Sequence, residues 1–181
     1  MSREVRMVPP DWQHPTEWRK DYHTGRPRLC HVPLLEGPFS QRLAEWDEGA
    51  AQWDAGFERD YKTGGWEPKA PRHTYTYAEY AGKRPEAKEH MPEFPPGTAT
   101  HLMMYETTSE GTPISPAFAT PEELAHWLAD NNASAFGDSG ATYEQWLATA
   151  RGGWAPSMIV DSHGLRSGVA AMADVPAQQP R

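Results

Sequence analysis

Thr98-Ala99-Thr100-His101-Leu102-Met103-Met104-Tyr105-Glu106-Thr107 is the stretch on which the fold class turns. Leu102 and Met104 alternate with Met103 and Tyr105, so both faces are apolar, the pattern of a strand covered on two sides. Turn residues follow, Thr108-Ser109-Glu110-Gly111-Thr112-Pro113. Thr120-Pro121-Glu122-Glu123 then reads as a helix start. Thr120 caps, Pro121 sits at the first helical position, and Glu123 completes a capping box. Leu124, Trp127 and Leu128 supply its buried face, and Asn131-Asn132 ends it. Thr142-Tyr143-Glu144-Gln145 repeats the device ahead of Trp146, Leu147 and Ala150, and Gly152-Gly153 terminates that helix. Ser157-Met158-Ile159-Val160 reads as a second strand, Asp161-Ser162-His163-Gly164 as a turn, and Leu165 opens a further strand or short helix. A strand among capped helices predicts an α+β class. The expected form is a small antiparallel sheet from about 100–107 and 157–170, with about three helices packed on it.

Upstream the sequence is different. Twelve of the 18 prolines lie in residues 1–97. Pro9-Pro10, Pro15, Pro27, Pro33 and Pro38 exclude a helix before residue 39, because each fixes φ and removes a donor. Residues 1–38 therefore read as an extended arm rich in Pro and Trp. A helix is expected from Ser40 to Gly56. Leu43, Trp46, Ala50, Trp53 and Phe57 step by threes and fours along one face of it. Residues 58–97 turn irregular at Gly64-Gly65, Pro68 and Pro71, with His73-Thr74-Tyr75-Thr76-Tyr77 alternating like a short strand. The expected organisation is an arm over 1–38, a helix with an irregular segment over 39–97, a compact α+β domain over 98–172 and a flexible tail over 173–181. No internal repeat is read along the chain.

Composition narrows the function classes. Leu, Ile, Val and Phe total 22 of 181 residues, yet 8 Trp and 7 Tyr are present. Disordered chains are poor in such rings, so the core is expected to be aromatic rather than aliphatic. No apolar run approaches the ~20 residues of a membrane span, and Met1-Ser2-Arg3-Glu4-Val5-Arg6 lacks the apolar stretch of a signal peptide. With the lone Cys30, this predicts a soluble cytoplasmic protein without disulfides. Residues 98–181 carry 3 basic and 9 acidic side chains. That surface disfavours nucleic acid and suits a basic protein partner.

Chemistry-bearing patterns are sparse. His14, His23, Cys30 and His31 match no zinc framework, so no metal is expected. No cofactor motif and no catalytic residue are assigned. Asp161-Ser162-His163 has the composition of a hairpin turn. An enzymatic alternative, a small hydrolase or nucleotide-modifying enzyme, would centre on the loop from Ser134 to Thr142. It requires Asp138, Ser139 and Arg166 to converge with a histidine. The leading expectation is a non-enzymatic interaction protein, with Trp12, Trp18, Trp66 and Tyr105 as candidate contact or anchor residues. Trp and Tyr are the residues that interfaces favour. A homodimer is a further option, since a Trp46/Trp53 stripe would otherwise stay wet.

The order of motifs adds a resemblance. Met104-Tyr105-Glu106-Thr107-Thr108-Ser109-Glu110-Gly111-Thr112-Pro113-Ile114-Ser115-Pro116 precedes Thr120-Pro121-Glu122-Glu123-Leu124-Ala125 and Trp127-Leu128-Ala129-Asp130. Thr142-Tyr143-Glu144-Gln145-Trp146-Leu147 follows, and Val8-Pro9-Pro10-Asp11-Trp12 with His14-Pro15 stands near the start. Over about half the chain this resembles a family of tailed-phage and prophage proteins with no established activity. The resemblance implies a phage-encoded protein acting inside an infected bacterium, on a host or phage protein. An inhibitor of a bacterial defence system (anti-CRISPR-like), or a minor virion or assembly protein, would fit it.

Overall fold

Arg3 to Val8 contains no proline and ends where Pro9-Pro10 begins, and it forms strand β1 (Arg3–Val8). This is seen in a computed structural model that describes residues 2–107, 111–161 and 164–174. The prolines stop the strand because they cannot donate to a ladder. Next come β2 (Thr16–Lys20) and β3 (Pro27–His31), an antiparallel hairpin that pairs Trp18 with Leu29. Its loop is built on Asp21. One carboxylate oxygen accepts from the His23 and Thr24 amides at 3.1 and 2.7 Å and from the Thr24 hydroxyl at 2.8 Å. Gly25 follows at φ +68°.

Helix α1 (Phe39–Asp54) covers most of the expected span. It leads into β4 (Phe57–Arg59) and β5 (Trp66–Pro68), a second antiparallel hairpin. Its loop repeats the first one. Asp60 accepts from the Lys62 amide at 2.9 Å and the Thr63 hydroxyl at 2.5 Å, and Gly64 has φ +73°. The two loops read Asp21-Tyr22-His23-Thr24-Gly25 and Asp60-Tyr61-Lys62-Thr63-Gly64. Even the register agrees, Lys20 opposite Pro27 and Arg59 opposite Trp66. The expectation of no internal repeat is thereby corrected: a short hairpin occurs twice, each with a tyrosine at its tip, 94% and 81% exposed. The His73–Tyr77 alternation does not give a strand either. Thr76 accepts from the Glu79 amide and Glu79 reaches back to the Thr76 amide, so a capping box starts helix α2 (Tyr77–Ala81).

Strand β6 (His101–Glu106) is followed by β7 (Thr112–Pro113), α3 (Pro121–Asp130) and α4 (Tyr143–Gly152). Both helices carry the expected capping boxes, on Thr120 with Glu123 and on Thr142 with Gln145. Then come β8 (Trp154–Ala155), β9 (Met158–Asp161), β10 (Gly164–Ser167) and α5 (Gly168–Met172). The α+β class holds. The sheet, however, is assembled otherwise than expected. It runs β7-β6-β1-β8, all antiparallel, while β9 and β10 pair only with each other. The first strand of the expected N-terminal arm lies inside this sheet, between β6 and β8. It supplies the partner that a strand apolar on both faces needs. Thr108, Ser109 and Glu110 of the expected turn, Ser162 and His163 of another, and residues 175–181 of the expected tail lie outside the described residues.

The chain divides into two compact units, one of the residues up to 35 and from 94 onward, the other Glu36–Glu93. The boundaries thus fall near 35 and 93, and the N-terminal segment belongs with the C-terminal part. In the first unit Met104, Leu124, Leu128, Trp146, Ala150 and Val169 form the core. Trp146 is fully buried and replaces the aliphatic bulk the sequence lacks.

Candidate functional site

The unit Glu36–Glu93 holds a cleft of about 190 Å³. Helix α1 lines it with Glu45, Glu48 and Trp53, and the β4–β5 hairpin adds Glu58, Arg59 and Trp66. Tyr61 comes from the hairpin tip, and Tyr77 and Tyr80 from α2. Trp53 packs against the rings of His73, Tyr75, Tyr77 and Tyr80, while Trp66 lies under Arg59.

Trp53 is the centre of that packing, 2% exposed. Tyr80 stacks on it with centroids 4.4 Å apart, and the His73 ring lies parallel at 6.0 Å. Its indole N–H donates to the Tyr75 carbonyl at 3.0 Å. Trp46, two turns earlier on α1, donates to the Gly82 carbonyl at 3.0 Å and meets Tyr77 edge-on at 5.2 Å. The chain's own tyrosines thus cover the Trp46/Trp53 stripe, which removes the reason for invoking a homodimer. Gly49 makes this possible. A Cβ there would stand 2.0 Å from the Tyr77 hydroxyl oxygen, so only glycine lets the phenol lie against the helix.

Two cations of the chain already sit on these rings. The Lys69 ammonium is 4.6 Å from the Trp53 centroid and donates to the Trp53 carbonyl at 3.1 Å. The Arg59 guanidinium lies 4.9 Å over Trp66. The ring faces therefore offer the negative potential of their π quadrupoles. Glu58 is internally engaged: one oxygen bonds His73 Nδ1 and the other accepts from the Ala70 amide at 3.2 Å. Glu45 accepts from the neutral Gln41 side chain at 2.8 Å. Neither Glu45 nor Glu48 forms a salt bridge among the described residues. The Tyr80 hydroxyl bonds that of Tyr61 at 3.4 Å, and this bond, with burial, pushes Tyr80 up to about 12. Burial, then the Tyr61 phenol, raises Tyr77 as well. Both phenols are neutral near pH 7, and the cleft is acidic only through its glutamates.

Of the four residues singled out by sequence, Trp66 lines this cleft. Trp12 and Tyr105 are brought together in the other unit: the Trp12 N–H donates to the Tyr105 hydroxyl at 3.3 Å. His14 Nε2 stands 2.7 Å from the Val32 carbonyl, which can only accept, so Nε2 carries a proton. Burial lowers the His14 pKa, so its other nitrogen, 3.1 Å from the same Tyr105 hydroxyl, takes the acceptor role. The Arg6 guanidinium covers the Tyr105 ring at 4.4 Å and bonds Glu4 at 3.1 Å and the Leu34 carbonyl at 2.8 Å. Tyr105 is 0% exposed, so it anchors the fold and cannot touch a partner. Trp18 is 71% exposed on β2.

The loop from Ser134 to Thr142 is occupied with its own backbone. Ser139 pairs with Phe136, Ser134 donates to the Gly137 carbonyl, and Arg3 holds the Ser134 carbonyl at 2.8 Å. Arg166 bonds Asp174 at 2.5 Å, and Asp138 and Ser139 are exposed. Among the described residues no three His, Cys, Asp or Glu side chains gather as metal ligands, and no helix is long and apolar enough to cross a membrane. Sequence reading missed Tyr77, Tyr80, Gly49, Glu45 and Glu48. The Thr76-Tyr77-Ala78-Glu79-Tyr80 capping pattern was the available signal for the first two. No family model matches the chain, and neither a curated protein nor a solved structure matches it.

Proposed function

We propose that the protein is a non-enzymatic interaction module whose recognition site is the aromatic cleft of Glu36–Glu93. The observation that carries this is the lining itself: five aromatic rings and three carboxylates around one open cavity. Exposed tryptophan and tyrosine surface is the material of binding hot spots. The hydroxyl-bearing loop of residues 134–142 and Arg166 have structural partners, so the reading places no chemistry there. The partner is a protein, of the host or phage kind that the resemblance implies, and inhibition of a defence system is the narrower form of this proposal. The acidic excess of residues 98–181, and of Glu36–Glu93 with twelve acidic against eight basic side chains, supports a basic partner and argues against nucleic acid.

Site-specific photocrosslinking tests it. Benzoylphenylalanine replaces Tyr61 at the cleft, or Val160, 77% exposed on β9, as a control position. Both full-length chains are irradiated in bacteria. One discrete protein adduct at position 61, lost when Glu48→Arg is added, is the expected result. Identical adducts at both positions, no adduct at 61, or adducts indifferent to Glu48→Arg would overturn the reading.

A further inference from the structure

We propose that the cleft takes the guanidinium group of an arginine side chain of the partner protein. This rests on the interaction reading above and names the chemistry of its ligand. The cleft combines three properties, and each selects. Its lining includes five aromatic side chains, two of which already carry a cation from this chain, Lys69 on Trp53 and Arg59 on Trp66. For a further cation the lining has three more aromatic residues, Tyr61, Tyr77 and Tyr80. Its rim holds Glu45 and Glu48, carboxylates without a salt bridge among the described residues. Its volume of about 190 Å³ equals roughly six waters at liquid density, enough for one planar group and part of its stem.

Other ligand classes fit less well. A phosphate or nucleotide would face two unpaired carboxylates. A quaternary ammonium would use the rings but has no N–H to offer the carboxylates. A lysine ammonium is a compact, strongly hydrated charge that loses more on leaving water. A guanidinium is weakly hydrated, stacks flat on aromatic faces, and has five N–H donors for carboxylates. Arg59, 4.9 Å from the Trp66 centroid, is a guanidinium already held over a ring of this lining. The unit as a whole, with twelve acidic and eight basic side chains, attracts a cation from a distance.

The test is a titration of the ¹⁵N-labelled full chain with acetyl-Gly-Arg-Gly-amide, followed by amide chemical shifts. Analogues with citrulline, lysine or trimethyllysine replace the arginine. Citrulline keeps the shape and removes the charge. The arginine peptide is expected to shift amides around Glu48, Arg59, Trp66 and Tyr80 and to bind about tenfold or more tighter than the citrulline peptide. Glu48→Gln and Tyr61→Ala, both at exposed positions that leave the core intact, are expected to weaken it at least about threefold. Equal binding of citrulline, tighter binding of lysine or trimethyllysine, no cleft shifts, or indifference to both substitutions would overturn the inference. The two failures separate cleanly. A cleft-dependent adduct at position 61 without arginine selectivity refutes the ligand and leaves the interaction reading standing. Absence of any adduct at position 61 in the chain that keeps Glu48 refutes the interaction reading itself.

Discussion

Gly49→Ala should destabilise α1, although alanine is the better helix former. In a free helix interior the exchange gains about 0.8–1 kcal/mol. Here the new methyl would stand 2.0 Å from the Tyr77 oxygen, 2.4 Å from Cζ and 3.1 Å from Cε1. The phenol has little room to retreat: Trp46 meets it at 5.2 Å, Trp53 at 6.0 Å and Tyr80 at 6.2 Å. Forcing a methyl into packed surroundings costs about 1–3 kcal/mol. The difference leaves a net loss near 1 kcal/mol, or roughly fivefold faster exchange of the α1 amides through local opening. Native-state hydrogen exchange on the full chain reads it directly. The Tyr77→Ala background supplies the internal control. With the ring gone, Gly49→Ala should turn stabilising by about 0.8–1 kcal/mol, the value set by propensity alone. Slower exchange in the single variant, or the same effect in both backgrounds, would refute the view that Gly49 is there to admit Tyr77.

Two further perturbations address the other unit. Gly168→Ala puts a Cβ 1.9 Å from the Pro156 carbonyl oxygen, a backbone atom that cannot swing away, so urea unfolding should show a loss of about 3 kcal/mol; a loss under about 1 kcal/mol would contradict the packing at the start of α5. His14 gives a pH dependence. Burial is the main cause of its lowered pKa, with the neighbouring His31 and Arg6 charges acting the same way against the Val32 bond. Between that lowered value and the ordinary one near about 6.5 the unfolded chain binds a proton that the native chain refuses. Stability should therefore rise with pH through this window, by at most about 1.4 kcal/mol per pH unit, and level off above it. His14→Asn should flatten the curve relative to the parent; an unchanged slope would mean that His14 is not held neutral.

Local chemistry made part of this molecule legible in the sequence. The Thr120 and Thr142 capping boxes, the β6 strand and the face of α1 each depend on residues within one or two turns of each other. Short-range sterics and hydrogen bonds suffice to specify them. The repeated Asp-Tyr-x-Thr-Gly loop is equally local, although the strands that flank it have no residue in common at aligned positions. The short stretch His73–Tyr77 was misread for a related reason. Its alternation fits a strand, and only the back-bonded Glu79 tips it into a helix start.

What remained hidden was decided by groups distant along the chain. Nothing near Arg3–Val8 says that it pairs with His101–Glu106 almost a hundred residues away. Prolines mark where that strand stops, but its partner is chosen by which apolar strand lacks a neighbour. The cleft is hidden in the same way. Its glutamates, tryptophans and tyrosines come from a helix, a hairpin and a second short helix, and none is distinctive alone. The sequence by itself determined the α+β class and the lack of any familiar catalytic pattern, because composition and local periodicity carry those; the expected aromatic core is corrected, since around Trp146 the interior is built of Leu, Met, Ala and Val. Tertiary structure alone decided which tryptophans are buried, which tyrosines line a cavity and why residue 49 is glycine. Those are facts of approach between side chains, and approach is set by packing.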